Sequence, residues 1–113
     1  MTINIDAFIG RANSREITFL GDRDTNTTVP DNTITRVVIK LGANCLDTNS
    51  VTDPIELTNN NTKLYMQLGL WEHATESAMQ GHIVVYTAEH PEGLAWPEDE
   101  DLLVTFYGWE VCV

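Results

Sequence analysis

Residues 62–70, TKLYMQLGL, contain the clearest hydrophobic alternation in the chain. The apolar side chains at even positions fall on one face of an extended backbone: Leu64, Met66, Leu68 and Leu70. The residues between them, including Lys63 and Gln67, fall on the other face. A period of two indicates a β-strand with one face buried. The stretch therefore predicts a sheet that packs on a core.

Shorter runs of the same kind occur on both sides of this strand, separated by clusters of Asn, Thr, Asp, Gly and Pro. The predicted strands lie in residues 3–9, 16–20, 34–41, 55–58, 62–70, 82–88 and 102–113. Only residues 71–80 could form a helical turn, and they are too few to be stable alone. The pattern predicts an all-β fold: an antiparallel β-sandwich or jelly roll of about seven strands, with a small closed barrel as the alternative.

The length of 113 residues fits one domain, and no repeat or linker divides the chain, so we predict a single β-sandwich domain over residues 1–113.

The N-terminal segment of this domain has two interpretations. Ile3, Ile5, Phe8 and Ile9 are apolar but precede the first well-framed strand. Residues 1–13 could therefore be an extended arm that contacts a partner, or they could contain the first strand of the sandwich.

The formal net charge is -11, from 17 acidic and 6 basic residues. All six bases lie in residues 1–63, whereas residues 64–113 contain 9 acids and no base. Such a protein repels nucleic acid and anionic membranes, so neither is expected as a partner. If the fold keeps the two halves apart, an acidic region could dock on a basic partner; otherwise the charge serves solubility.

The sequence has no apolar run of the length that a membrane span needs, and residues 1–10 do not resemble a secretion signal. We therefore expect a protein that is made in a cytoplasm. Cys45 and Cys112 are far apart and have no zinc-ligand spacing, so both are predicted to be free thiols.

The sequence contains no strong motif for a metal site or a catalytic site. Asp22, Asp24 and Asn26 match the first ligands of a calcium loop, but Thr33 stands where that loop needs Glu. The histidines have no hydrolase motif around them. We therefore predict a protein that is not an enzyme, without metal or cofactor. Trp96 lies in an acidic loop and could offer an aromatic platform for a sugar.

Three passages carry a resemblance: TVPDNTITRVVIKLG (28–42) with CLDT (45–48), DPIELT (53–58), and MQGHIVVYTAEHPEGLAW (79–96). They resemble small virion structural proteins of tailed bacteriophages, over roughly residues 16–107. The resemblance implies a capsid decoration (cement) protein or a tail accessory protein, located in the virion and made in the host cytoplasm. It implies contacts with the major capsid protein or another virion protein, and with identical copies on the particle.

Two functions from different classes thus remain open at this point. The first is a structural protein that binds and strengthens an assembled phage shell, with a tail or baseplate accessory role as its variant. The second is a soluble β-sandwich module that binds carbohydrate or protein. The predicted contact residues combine the N-terminal apolar set with the acidic loop: Ile3, Ile5, Phe8, Ile9, Trp96, Glu98, Asp99, Glu100 and Asp101.

Overall fold

The computed structural model describes residues 2–18, 34–58, 63–88, 90–95 and 101–108. This part of the chain is all-β, as predicted, and contains nine strands and one 3-10 turn, at Leu68–Leu70. The strands are β1 (Thr2–Phe8), β2 (Arg15–Thr18), β3 (Ile34–Leu41), β4 (Asn44–Asp47), β5 (Ile55–Thr58), β6 (Lys63–Met66), β7 (Ser77–Thr87), β8 (Leu94–Ala95) and β9 (Asp101–Tyr107).

Six of the strands form one sheet in the order β1-β9-β7-β3-β4, with β8 also paired to β7. The 11-residue β7 is its central strand. One edge of β7 pairs with β3, and the other pairs first with β9 and then, further along, with β8. All of these pairs are antiparallel, but β1 runs parallel to β9, so the sheet is mixed.

The other three strands form a second sheet in the order β2-β6-β5, with antiparallel pairs throughout. Leu64 and Met66 of its central strand are buried, as the alternation in residues 62–70 predicts. The buried side chains of both sheets belong to one hydrophobic cluster, which is the arrangement of a β-sandwich. Its fully buried members include Val37, Ile39, Leu41, Leu46, Leu64, Met66, Val85, Leu102, Val104 and Phe106.

Three local predictions are wrong. The strand predicted over residues 62–70 ends at Met66, and Leu70, which was placed on its buried face, is 49% exposed in the 3-10 turn. No helical turn forms at residues 71–80; the 3-10 turn lies earlier, at Leu68–Leu70, and Ser77–Gln80 begins β7. The strand β4 lies in a stretch that was predicted to be loop. It exists because Gly42, with a φ of 58°, allows a tight turn that returns the chain along β3.

The N-terminal segment forms a strand, which was one of its two interpretations. Thr2–Phe8 pairs with β9 along its whole length, and Ile5 and Ala7 enter the core. Over Thr2–Phe8 the chain is therefore a strand of the sheet and does not form a detached arm. In the described part of the chain, no helix is long and apolar enough to cross a membrane.

Candidate functional site

The predicted apolar contact residues of the N-terminal segment lie mostly on the core side of the sheet. Ile5 is 6% exposed, and Ile3 and Ile9 are partly buried against the core. Alternation along β1 explains this placement, because residues 3, 5 and 7 share one face. Ile5 is therefore a core residue, whereas Ile3 and Ile9 pack against the core and keep part of their surface accessible.

Phe8 is the member of this set that lies on the other face, where it pairs with Tyr107 of β9. The two rings are stacked with their centroids 5.6 Å apart. Tyr107 is 43% exposed, and its hydroxyl donates a hydrogen bond of 3.4 Å to Asp6. The pair thus leaves part of an aromatic surface accessible at the end of β1 and β9.

The acidic loop falls largely outside the described residues, and the predicted contact residues Trp96, Glu98, Asp99 and Glu100 all lie in that part. Asp101 is exposed and begins β9. Its carboxylate lies 3.8 Å from Nδ1 of His82, and both residues border a cavity of about 270 Å³ that Lys40 also lines. A basic side chain therefore lies near this acidic residue, which the charge pattern along the sequence did not predict.

The register of β1 and β9 relates the two predicted contact regions. Thr2 is paired with Asp101, and Phe8 is paired with Tyr107. The start of the N-terminal strand thus lies beside the residue at which the acidic loop ends. Phe8 lies at the opposite end of the same pair, about 20 Å away. Ile3 and Asp101 therefore lie at one end of the strand pair, and Phe8 and Ile9 lie at the other end.

A second polar cluster, which the sequence analysis missed, lies on the outer face of the six-stranded sheet. Nε of Arg36 lies 3.0 Å from each carboxylate oxygen of Asp47, and Nη2 also donates to this carboxylate. The guanidinium lies over the ring of Tyr86, 5.0 Å from its centroid. The hydrogen bond from Arg36 lowers the pKa of Asp47 below its usual value, and the N–H of Asn49 acts in the same direction. The cluster links β3, β4 and β7.

Asp53 continues this cluster toward the second sheet. Its carboxylate accepts a hydrogen bond of 2.9 Å from the backbone N–H of Asp47, at the edge of β4. The loop that contains Asp53 therefore covers part of that edge, a known protection against pairing with other chains. The same loop forms one wall of a cavity beside the three-stranded sheet.

This cavity, the tyrosine cleft, has a volume of about 380 Å³ and lies between the loop of residues 48–54 and the three-stranded sheet. Its lining residues are Thr48, Ser50, Val51, Asp53, Pro54, Ile55, Glu56, Tyr65 and Gln67. Val51 is fully exposed at the loop tip. The signal in the sequence was Tyr65, the aromatic residue on the polar face of the alternating strand, but the loop that completes the cleft had no recognisable pattern.

Other candidate groups do not converge. Within the described residues, no group of three or more His, Cys, Asp or Glu side chains could hold a metal ion. The calcium-like run at residues 22–33 lies outside the described part of the chain, as does Cys112. Cys45 is exposed and is a free thiol.

No protein-family model matches the chain, and no curated protein matches it significantly. The resemblance to virion proteins therefore rests on the sequence passages quoted above.

Proposed function

We propose that this chain is a structural, non-enzymatic protein of a tailed-phage virion, and that it acts as a capsid decoration protein. In this role it is made in the host cytoplasm, binds the assembled shell and stabilises it. Its partners are the major capsid protein or another virion protein, together with identical copies of itself on the particle.

The observation that best supports this proposal is the pairing of Thr2 with Asp101. It brings the N-terminal strand and the end of the acidic loop to one edge of the six-stranded sheet. A partner that approaches this edge would meet the backbone of β1, with the Asp101 carboxylate on the next strand. Charge complementarity of this kind favours correct orientation and fast association with a basic surface.

The direct test is to look for the chain in purified virions produced from the genome that encodes it, by mass spectrometry. Particles that lack the chain should bind the purified protein to saturation, at a fixed number of copies per shell. The loaded shells should then release their DNA at a higher temperature than bare shells. Absence from virions, together with no binding to bare shells, would rule the proposal out.

The alternative function is a soluble binding module for carbohydrate or protein, and the tyrosine cleft is the observation that favours it. Its wall combines an aromatic ring, hydroxyls, an amide and carboxylates, which are groups that recognise polar ligands. A tail or baseplate role would give binding to tails and none to empty shells. Separate binding assays with isolated shells and isolated tails distinguish these possibilities.

A further inference from the structure

Tyr65, which lines the tyrosine cleft, lies between two carboxylates on the three-stranded sheet. Leu64 and Met66 are buried, so Tyr65 between them lies on the outer face of the three-stranded sheet. The register places Glu16 of β2 opposite Tyr65 on one side and Glu56 of β5 opposite it on the other. Residues directly opposite in neighbouring strands share a face. A row Glu16–Tyr65–Glu56 therefore crosses the sheet.

The loop places a further carboxylate, that of Asp53, in the cleft. Asp53 lines the cleft together with Glu56 and Tyr65, and its hydrogen bond from the N–H of Asp47 holds it in place. No basic side chain lines the cleft. Among the described residues, neither Glu16 nor Glu56 takes part in an ion pair.

Among the described residues, the two bases on the three-stranded sheet form no ion pair with the row. Arg15 is paired with Met66, so it is directed to the opposite face from Tyr65. Lys63 shares the face of Tyr65 but stands in the next row, between Thr18 and Thr58. Asp53 and Glu56 thus lie in the cleft beside an aromatic ring, where a cation would relieve their mutual repulsion.

The other sheet shows the same combination of groups with its cation present. There the Arg36 guanidinium lies over the Tyr86 ring and is bound by the Asp47 carboxylate. A planar guanidinium can stack on a tyrosine and donate to carboxylates at its edge at the same time, which an ammonium group does less well. The tyrosine cleft offers the ring and the carboxylates without an arginine.

We infer that the tyrosine cleft receives an arginine side chain of a partner protein, which stacks on Tyr65 and pairs with Glu56 and Asp53. The inference rests on the proposed function, because the partner is taken to be a shell protein, and it adds to the docking edge at Thr2 and Asp101 a second contact in the cleft. The cleft at about 380 Å³ is in the size range of small-ligand sites, which is large enough for one such side chain.

The test is an NMR titration of the full chain with N-acetyl-arginine amide, compared with N-acetyl-citrulline amide, its uncharged analogue of similar shape. We expect saturable shifts of the Tyr65 and Glu56 amides with the arginine compound, and about tenfold weaker binding of the citrulline compound. Added salt should weaken the arginine binding. Glu56→Gln should weaken it as well, whereas Glu72→Gln, a change at a carboxylate that is 79% exposed in another loop, should not.

Three results would overturn the inference: equal shifts with both compounds, unchanged binding to Glu56→Gln, or no shift at Tyr65 with arginine. Shifts of the same amides by methyl glycosides alone would instead identify a sugar site. Failure here is distinguishable from failure of the proposed function. If the chain is found in virions but does not bind the arginine compound, only the inference is wrong. If it binds arginine but is absent from virions, the proposed function is wrong.

Discussion

Asp47 holds together three strands of the six-stranded sheet through its pair with Arg36 and the contact of Arg36 with Tyr86. Because the pKa of Asp47 is lowered in the folded protein, the ionised form stabilises the fold above the ordinary pKa of 3.8. That contribution is lost as the pH falls through the lowered pKa, where the carboxylate becomes protonated.

We therefore expect Asp47→Asn to lower the stability at pH 7, and the difference from the original protein to shrink in acid below the ordinary pKa. The measurement is urea unfolding of both proteins at neutral and acidic pH. Glu72→Gln serves as the control, because its exposed carboxylate has only a 3.6 Å contact with His73. A difference that stays constant down to the lowest pH would contradict the role of the ionised Asp47.

Gly81 lies where β7 is paired with both β3 and β9, and the neighbouring backbone leaves no room for a side chain there. A Cβ atom added there would lie 1.8 Å from the carbonyl oxygen of Lys40, which is backbone and cannot move aside without disturbing β3. We expect Gly81→Ala to destabilise the protein by on the order of 3 kcal/mol. At Gly108 the nearest atom is a carboxylate oxygen of the exposed Glu76, which can rotate away. Gly108→Ala should therefore leave the melting temperature nearly unchanged, and similar losses for both variants would contradict this account.

At the scale of the strand, β1 belongs to the fold as well as to the proposed docking edge. It contributes Ile5 and Ala7 to the core and covers the edge of β9. Deletion of residues 1–9 should therefore lower the melting temperature and expose β9 to pairing with other chains. Thermal unfolding by circular dichroism and size-exclusion chromatography would show a lower transition and larger species. A truncated protein that remains monomeric, with an unchanged transition, would show that β1 is dispensable for folding.

The strands that the sequence predicted are those whose own alternation has one buried face, such as β6 with Leu64 and Met66 and β3 with Val37 and Ile39. The start of β7 was missed because Ser77–Gln80 has no β-branched residue, and its pairing with β9 supplies what local preference lacks. The parallel pair of β1 and β9 joins residues about a hundred positions apart, and no local pattern specifies such a register.

The candidate sites, like the strands, could be predicted only where local alternation determines them. The outward position of Tyr65 follows from the alternation of its strand, but its neighbours Glu16 and Glu56 are fixed by the register of three strands. The pair of Arg36 with Asp47 depends on the turn at Gly42, which places β4 beside β3. A sequence predicts the face that a residue occupies more readily than the residues that it meets there.

In the whole molecule, the acidic and the mixed halves of the sequence are interleaved. The six-stranded sheet has β7 and β9 from the acidic half between β1 on one side and β3 and β4 on the other. β7 itself contains no acid, and the described acids of this half are Glu72, Glu76, Glu92 and Asp101. The condition for one separate acidic region, that the fold keeps the two halves apart, is therefore not met by the described strands, so docking by charge is expected to be local.

The last prediction concerns that local charge, in the run Glu98, Asp99, Glu100 and Asp101. Replacing these four residues by Gln and Asn removes four negative charges and changes the formal net charge from -11 to -7. Because fewer like charges repel, the variant should be somewhat more stable in low salt, where the Debye length is about 30 Å at 0.01 M. At 0.15 M, where it is about 8 Å, the two proteins should be nearly equal in stability. If the run docks on a basic shell surface, the original protein should bind particles more tightly than the variant in low salt, and this advantage should fade as salt rises. Binding of both proteins to purified particles across this range of salt measures it. Equal affinity at every salt concentration, with poorer solubility of the variant, would mean that these carboxylates keep the protein in solution and take no part in attachment.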